Sequence, residues 1–247
     1  MALFDSIADV YDDTRSLPPE IMSQVTEKLV ELLEPGTTVL DVGVGTGRFS
    51  IPMCNGGIEV TGIDLSTGML AKCQEKGFGN IIRSNACVMP FRDKQFDNAF
   101  MTHVLHLVDD RHSLLSEICR VTVANLVSVL AIWPRDNWPG KFYSERVKEL
   151  GHEQSERMME KDLAETIPPW DRVLVARYSR DRDNDAFIQL LKERKYSSTA
   201  GVPEDMHQQA ISDVLAKYGG KSEIVGSKVE IVFWDIEALS EFLLNTE

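Results

Sequence analysis

Basic side chains are scarce in this sequence: 26 Lys and Arg stand against 39 Asp and Glu in 247 residues, a formal net charge of −13. A chain with that balance lacks the cationic surface needed to neutralise a run of phosphates, so no nucleic-acid partner is expected. Cysteine is scarce as well. Cys54, Cys73, Cys87 and Cys119 lie apart with no CxxC pair, which argues against a thiolate metal site or a compact disulfide framework and leaves reduced thiols as the expectation. No stretch is apolar for long enough to cross a bilayer, the longest nearly continuous run being Leu126 to Trp133, and no membrane partner is expected. The opening residues Met1 to Ser6 show neither the basic start nor the apolar stretch of a secretion signal, so the expected location is cytoplasmic. Apolar residues are not scarce. At 43% of the chain they suffice for one full core.

Pro18 and Pro19 open a segment in which Ile21, Val25, Leu29 and Leu32 recur at helical spacing until Pro35-Gly36, which predicts an amphipathic helix. Strand-like and helix-like runs then alternate. Strands are expected at 37–42, 58–63, 80–84, 96–102 and 126–133, with helices at 48–54, from Ser66 to about Gly77, and at 110–121. Such alternation implies a parallel sheet with right-handed crossovers. Past Trp133 the alternation breaks, and 136–169, rich in charge and carrying two Pro-containing turns, reads as an inserted lid. A strand at 172–178, helices at 184–195 and 203–218, and a closing strand at 228–234 complete the expectation. No repeat and no linker separates a second domain, so one domain is expected, with a cap over 1–36, a core over 37–134, a lid over 135–170 and a C-terminal part over 171–247.

The most informative segment is Val39-Leu40-Asp41-Val42-Gly43-Val44-Gly45-Thr46-Gly47-Arg48, a buried-strand pattern running into three alternate glycines. Glycines there allow close backbone approach to a ligand, and a following helix N-terminus favours a negatively charged group. A dinucleotide-binding dehydrogenase would place a small residue where Arg48 stands, which disfavours an NAD(P)-dependent oxidoreductase as the alternative enzyme. Asp64 ends the second expected strand, where a carboxylate can accept hydrogen bonds from both hydroxyls of a ribose; it can equally serve the start of the next helix. Leu65 and Met69 fall beside it, placed to pack on a flat base or to fill the first helical turn.

Asp41 followed by Gly43, Gly45 and Gly47 resembles the first motif of the class I S-adenosylmethionine-dependent methyltransferases. In that family the loop wraps the amino-acid end of the cofactor. Asn85-Ala86-Cys87-Val88-Met89-Pro90-Phe91 with Phe96-Asp97 is similar to the family's adenine-side loop, with Asn85 in place of the usual acid. An amide oxygen can still accept from the adenine amino group. Tyr11-Asp12-Asp13-Thr14-Arg15 is similar to an N-terminal Tyr-Asp-x-x-Arg element that closes over the cofactor, bringing Tyr11 and Arg15 to the site. The resemblance is nearest to the ubiquinone and menaquinone biosynthesis type (methyltransferase type 11). It implies a Rossmann-like α/β fold: a seven-stranded, mostly parallel sheet with an antiparallel last strand, helices on both faces, a helical N-terminal cap and a lid after the fifth strand. The cofactor implied is S-adenosylmethionine and the partner a small-molecule methyl acceptor, with a monomer or homodimer as the assembly. Val123-Ala124-Asn125 departs from the family's Pro-Gly-Gly and leaves the helix-to-strand turn there open, and Tyr196-Ser197-Ser198 resembles a feature of some relatives but reads equally as a helix end.

Methyl transfer from a sulfonium mainly demands alignment and exclusion of water, so no metal and no covalent nucleophile is expected. His103 and His106 follow the fourth expected strand, where a base or an orienting group would sit; both can equally be loop-filling imidazoles. Trp138, Phe142, Tyr143, His152 and Trp170 can wall an acceptor pocket or pack the lid. A catalytically silent cofactor-binding protein remains the rival of a different class, because donor motifs do not report turnover.

Overall fold

The two prolines act where the sequence places them. Pro18 stands at the N-cap with φ −50°, and Pro19 takes an early helical position where a missing N–H is harmless. The resulting helix, α1 (Pro19–Leu33), buries Ile21, Val25, Leu29 and Leu33 at four-residue spacing, and Glu34, with φ 64°, turns the chain out of it. The computed structural model describes residues 5, 8, 11–12, 17–134, 138–152 and 158–245.

From there the chain runs β1 (Thr38–Val42), α2 (Ser50–Asn55), β2 (Glu59–Asp64), α3 (Thr67–Glu75), β3 (Ile81–Arg83), β4 (Phe96–Met101), α4 (Arg111–Val121) and β5 (Thr122–Ile132). Strand β1 is central, with Val39 beside both Val60 of β2 and Asn98 of β4 in parallel register. Val39, Leu40 and Val42 have no exposed surface, as expected of a parallel strand covered on both faces. The rest of the chain forms α5 (Pro139–Glu149), α6 (Glu160–Thr166), β6 (Asp171–Asp183), α7 (Asn184–Lys192), α8 (Glu204–Tyr218), β7 (Ser222–Asp235) and α9 (Ile236–Leu244). The seven strands make one sheet in the order β3-β2-β1-β4-β5-β7-β6, mostly parallel with antiparallel last strands and helices around it. This is the Rossmann-like sheet that the motifs imply.

Several boundaries differ from the expectation. Strand β5 starts at Thr122, directly from the C-cap of α4, with φ −110° and ψ 141°; the β-branched pair Thr122-Val123 extends the chain at once, so Val123-Ala124-Asn125 is strand and no turn intervenes. Strands β6 and β7 are also longer than expected. The additional residues of β6 are charged or small, and two of them find aromatic cover: Arg180 lies 4.6 Å from the Trp133 ring centroid and Arg182 5.2 Å from that of Trp138.

The chain divides into two compact units. One comprises Met1–Leu130, Arg157–Ala176 and Val229–Glu247, the other Ala131–Glu156 and Arg177–Lys228. The segment 135–170 is thereby divided, α5 going to the second unit and α6 to the first. In the second unit α5, α7 and α8 bury one another's apolar stripes around Tyr143, Val147, Ile188, Leu191 and Val214. Among the described residues no helix is long and apolar enough to cross a membrane.

Candidate functional site

Beyond Val42 the backbone enters a left-handed course, with φ 76° at Gly43, 56° at Gly45 and 79° at Gly47. At Gly43 a side chain would also collide: its Cβ would stand 2.3 Å from Cγ2 of Val104. Only glycine meets both demands. The amides of Gly43 and Val44 donate to the Ile63 carbonyl at 2.8 and 2.9 Å, drawing the loop across the end of β2. There Gly45 N–H donates to Asp64 Oδ2 at 3.0 Å, while Ser66 N–H donates to Asp64 Oδ1 at 2.8 Å. Ser66 in turn caps α3, its hydroxyl oxygen accepting from Met69 N–H at 3.2 Å. Each carboxylate oxygen of Asp64 is thus held by one amide and keeps further lone pairs for a ligand. Burial pushes the Asp64 carboxyl above the ordinary range, and the amides of Ser66, Gly45 and Leu65 oppose that shift.

A cavity opens beside this carboxylate. Of the residues singled out by sequence, it brings together Tyr11, Gly43, Gly45, Asp64, Leu65, Met69, Asn85, Ala86 and His103. Tyr11 packs with Ala8 against Met69. Nearby Asp12 accepts from the Thr46 hydroxyl at 2.6 Å and pairs with Lys76, and Asp5 accepts from the Ser66 hydroxyl at 2.6 Å and from Gly68 N–H at 2.9 Å. On the far side Asn85 Oδ1 accepts from Cys87 N–H at 3.0 Å, an Asx turn that fixes the amide and leaves its oxygen a second lone pair. His103 has a left-handed backbone, φ 63°, unusual for a residue with a Cβ.

Three expected site residues are placed elsewhere. Asp41 is 4% exposed and accepts from the Ser50 hydroxyl at 2.5 Å, so it ties the loop to α2 and does not line the cavity. Gly47 is absent from the wall too; a Cβ there would stand 2.8 Å from Cys73 Sγ, which makes it a packing glycine. His106 sits in the 3-10 turn Leu105–Leu107 and contributes no wall, although Leu107 of the same turn does. Arg15 lies outside the described residues. Arg48, the residue at odds with a dinucleotide loop, lies over the Phe49 ring at 4.8 Å.

Of the aromatic candidates, Trp138, Phe142 and Tyr143 are built into packing, whereas Trp170 is 63% exposed. Trp138 meets Phe187 at 4.3 Å, Phe142 meets Tyr218 at 5.7 Å, and the Tyr143 hydroxyl is 2.6 Å from His207 Nδ1, all within the second unit. Tyr196, in the same unit, meets Phe187 at 4.8 Å with the rings tilted by 42°. Trp170, in the first unit, donates from Nε1 to Asn125 Oδ1 at 2.9 Å. His152 is half-buried.

Sequence reasoning missed Thr102, Val104, Leu107 and Val108 on the cavity wall, and behind them Glu160. Thr102 Oγ1 accepts from Val129 N–H at 3.1 Å, tying the end of β4 to β5. The apolar residues at 104, 107 and 108 follow directly on the fourth strand, which was the available signal. Glu160 carried none. Among the described residues no group of three or more His, Cys, Asp or Glu is gathered for a metal ion. The site therefore offers one clamped carboxylate, a glycine loop, a partly apolar slot and a histidine in its wall.

Residues 40–125 match the family described as a methyltransferase domain. An uncharacterised protein of Methanocaldococcus jannaschii is 32% identical over 146 residues, covering 59% of this chain and 68% of that protein. The demethylmenaquinone methyltransferase of Renibacterium salmoninarum is 33% identical over 125 residues, 49% of this chain and 53% of the enzyme. The match therefore spans about half the length of that enzyme. Among solved structures, the YcgJ protein of Bacillus subtilis superimposes with a TM-score of 0.55 at 18% identity, over 86% of this chain and 98% of its own.

Proposed function

We propose, for a chain that belongs to the class I S-adenosylmethionine-dependent methyltransferases, that the cavity beside Asp64 takes S-adenosylmethionine and that a small molecule accepts the methyl group. The observation that carries this reading is the Asp64 carboxylate, clamped by Gly45 and Ser66 at the end of β2 with lone pairs left for two ribose hydroxyls. The cavity fits the rest of such a ligand. At Gly45 an added Cβ would have only the Gly43 carbonyl within reach, at 3.9 Å, so the loop presents bare backbone on which an amino-acid end can lie. Leu65 and Met69 offer the faces for the base, and Asn85 and Ala86 its edge. Tyr11 covers the slot.

When bound, the group supplies a sulfonium methyl with a good leaving group. What the protein must add is alignment and dryness. In this reading Val104, Leu107 and Val108 keep water from the open side, and His103 stands where an acceptor proton would be taken up. Asp41 and Gly47 shape the loop without touching the ligand. The net charge of −13 favours a neutral or cationic acceptor over a polyanion as a long-range bias.

Calorimetric titration with S-adenosylmethionine, S-adenosylhomocysteine and NAD tests the donor site, with Asp64→Ala as control. Micromolar binding of both adenosyl ligands, weakened at least tenfold in the variant, is expected. A response to NAD alone would overturn the reading.

A further inference from the structure

One acidic side chain, remote in sequence from every motif, is bonded to the turn that forms a wall of the cavity. Glu160, the first residue of α6, is 3% exposed. Its Oε1 accepts from Val104 N–H at 2.7 Å and Leu105 N–H at 3.2 Å, across 56 and 55 residues of sequence. The amides of His103 and of Glu160 itself also act on this carboxylate. A buried carboxylate surrounded by backbone donors is satisfied by them, and they by it.

The conformation so held is one the chain would not choose unaided. His103 is left-handed at φ 63°, which for a residue with a Cβ stores strain that neighbouring bonds must hold in place. The next residue, Val104, fills the space that a Cβ on Gly43 would occupy, the distance to its Cγ2 being 2.3 Å. The glycine loop and the His103–Leu105 turn are therefore packed face to face, and the polar side of that turn ends on Glu160. Val104 and His103 both line the cavity; Glu160 does not.

The geometry points to Glu160 as a positioning residue of the donor pocket: its carboxylate gathers the turn's amides, holds His103 in its left-handed form and seats Val104 against Gly43. This inference rests on the donor reading given above. It assigns to α6, outside the matched domain of residues 40–125, a part in shaping the cofactor site. Burial pushes the carboxyl upward and the four amides pull it down, so this group trades solvation for backbone donors.

The test is S-adenosylhomocysteine binding by the full chain carrying Glu160→Ala or Glu160→Gln, with amide NMR spectra of each. Glu160→Ala is expected to bind at least tenfold more weakly than wild type. Glu160→Gln, which keeps an acceptor oxygen in place, should recover most of that loss, and the Val104 and Leu105 amide signals should move upfield in both while Leu40 and Phe100 keep their exchange protection. Binding within twofold of wild type in both variants overturns the inference, as does loss of protection at Leu40 and Phe100 in step with the loss of affinity. If wild type fails to bind, or Asp64→Ala binds normally, the donor reading itself falls and this inference with it.

Discussion

Asp41 and Asp64 sit at the ends of neighbouring strands and do different work because of what surrounds them. Asp64 keeps two amides and an open side, whereas Asp41 has a single hydroxyl partner, Ser50, inside the core. Burial pushes the Asp41 carboxyl up to about 7; the Ser50 hydroxyl opposes this, the Asp64 charge adds to it and Arg48 pulls it down. A folded-state value raised above the unfolded one means that folded protein holds a proton which unfolded chain has released. The stability this contributes is complete below pH ~4, is lost as pH rises towards 7, and is level above that. Asp41→Asn preserves shape and an acceptor oxygen for Ser50 but removes the titration. Its stability minus that of wild type should therefore grow between pH 4 and pH 8, by up to about 4 kcal/mol at 1.36 kcal/mol per pKa unit. Urea unfolding of both proteins at the two pH values measures this, other acids cancelling in the difference. A difference that does not change with pH would mean that Asp41 is not held protonated by its burial.

At the scale of elements, α5 and α8 meet through a polar pair inside an apolar cluster. The Tyr143 hydroxyl is 2.6 Å from His207 Nδ1, the two residues being 0% and 1% exposed. Burial pushes the phenol up to about 12 and the imidazole down, so both are neutral; His207 Nε2 faces the Lys192 carbonyl at 3.5 Å and carries the proton there, which leaves Nδ1 to accept from the hydroxyl. Tyr143→Phe leaves a buried acceptor without its donor, at a cost of about 1–3 kcal/mol in unfolding free energy by denaturant titration. A change under about 0.3 kcal/mol would mean that the pair is energetically idle. Sequence could place α7 and α8, whose apolar residues follow helical periods, but it left α5 inside the lid and could not pair Tyr143 with His207, because that contact joins residues 64 apart. The site divides the same way. The glycine loop and Asp64 were legible because their chemistry is local, backbone turning at the end of a strand. Asp41 belongs to the same motif but stands off the cavity wall, because motif membership does not say which way a side chain faces. Glu160 was illegible because it stands in a charged run that reads as solvated surface, and only tertiary packing buries it. Strand β6 was read short since charge masks extension until Trp133 and Trp138 supply cover for Arg180 and Arg182.

Taken whole, the chain combines a unit that contains the entire described cavity wall with a second unit that has its own core. Ligand binding stabilises whatever must be intact for binding, by about 2.7 kcal/mol at a hundred times the dissociation constant. Amides whose exchange requires opening of β1, β2 or α3 should gain that much protection in S-adenosylhomocysteine. Amides of α7 and α8 gain it only if their opening also opens the cavity. Since those helices bury their apolar stripes against α5 and each other, they can open as a smaller cooperative unit and exchange without disturbing the ligand. Hydrogen exchange followed residue by residue, with and without the ligand, should therefore show a gain across the first unit and little across α7 and α8. An equal gain along the whole chain would show instead that the two cores break only together, and the acceptor-independent part of the function would then depend on both.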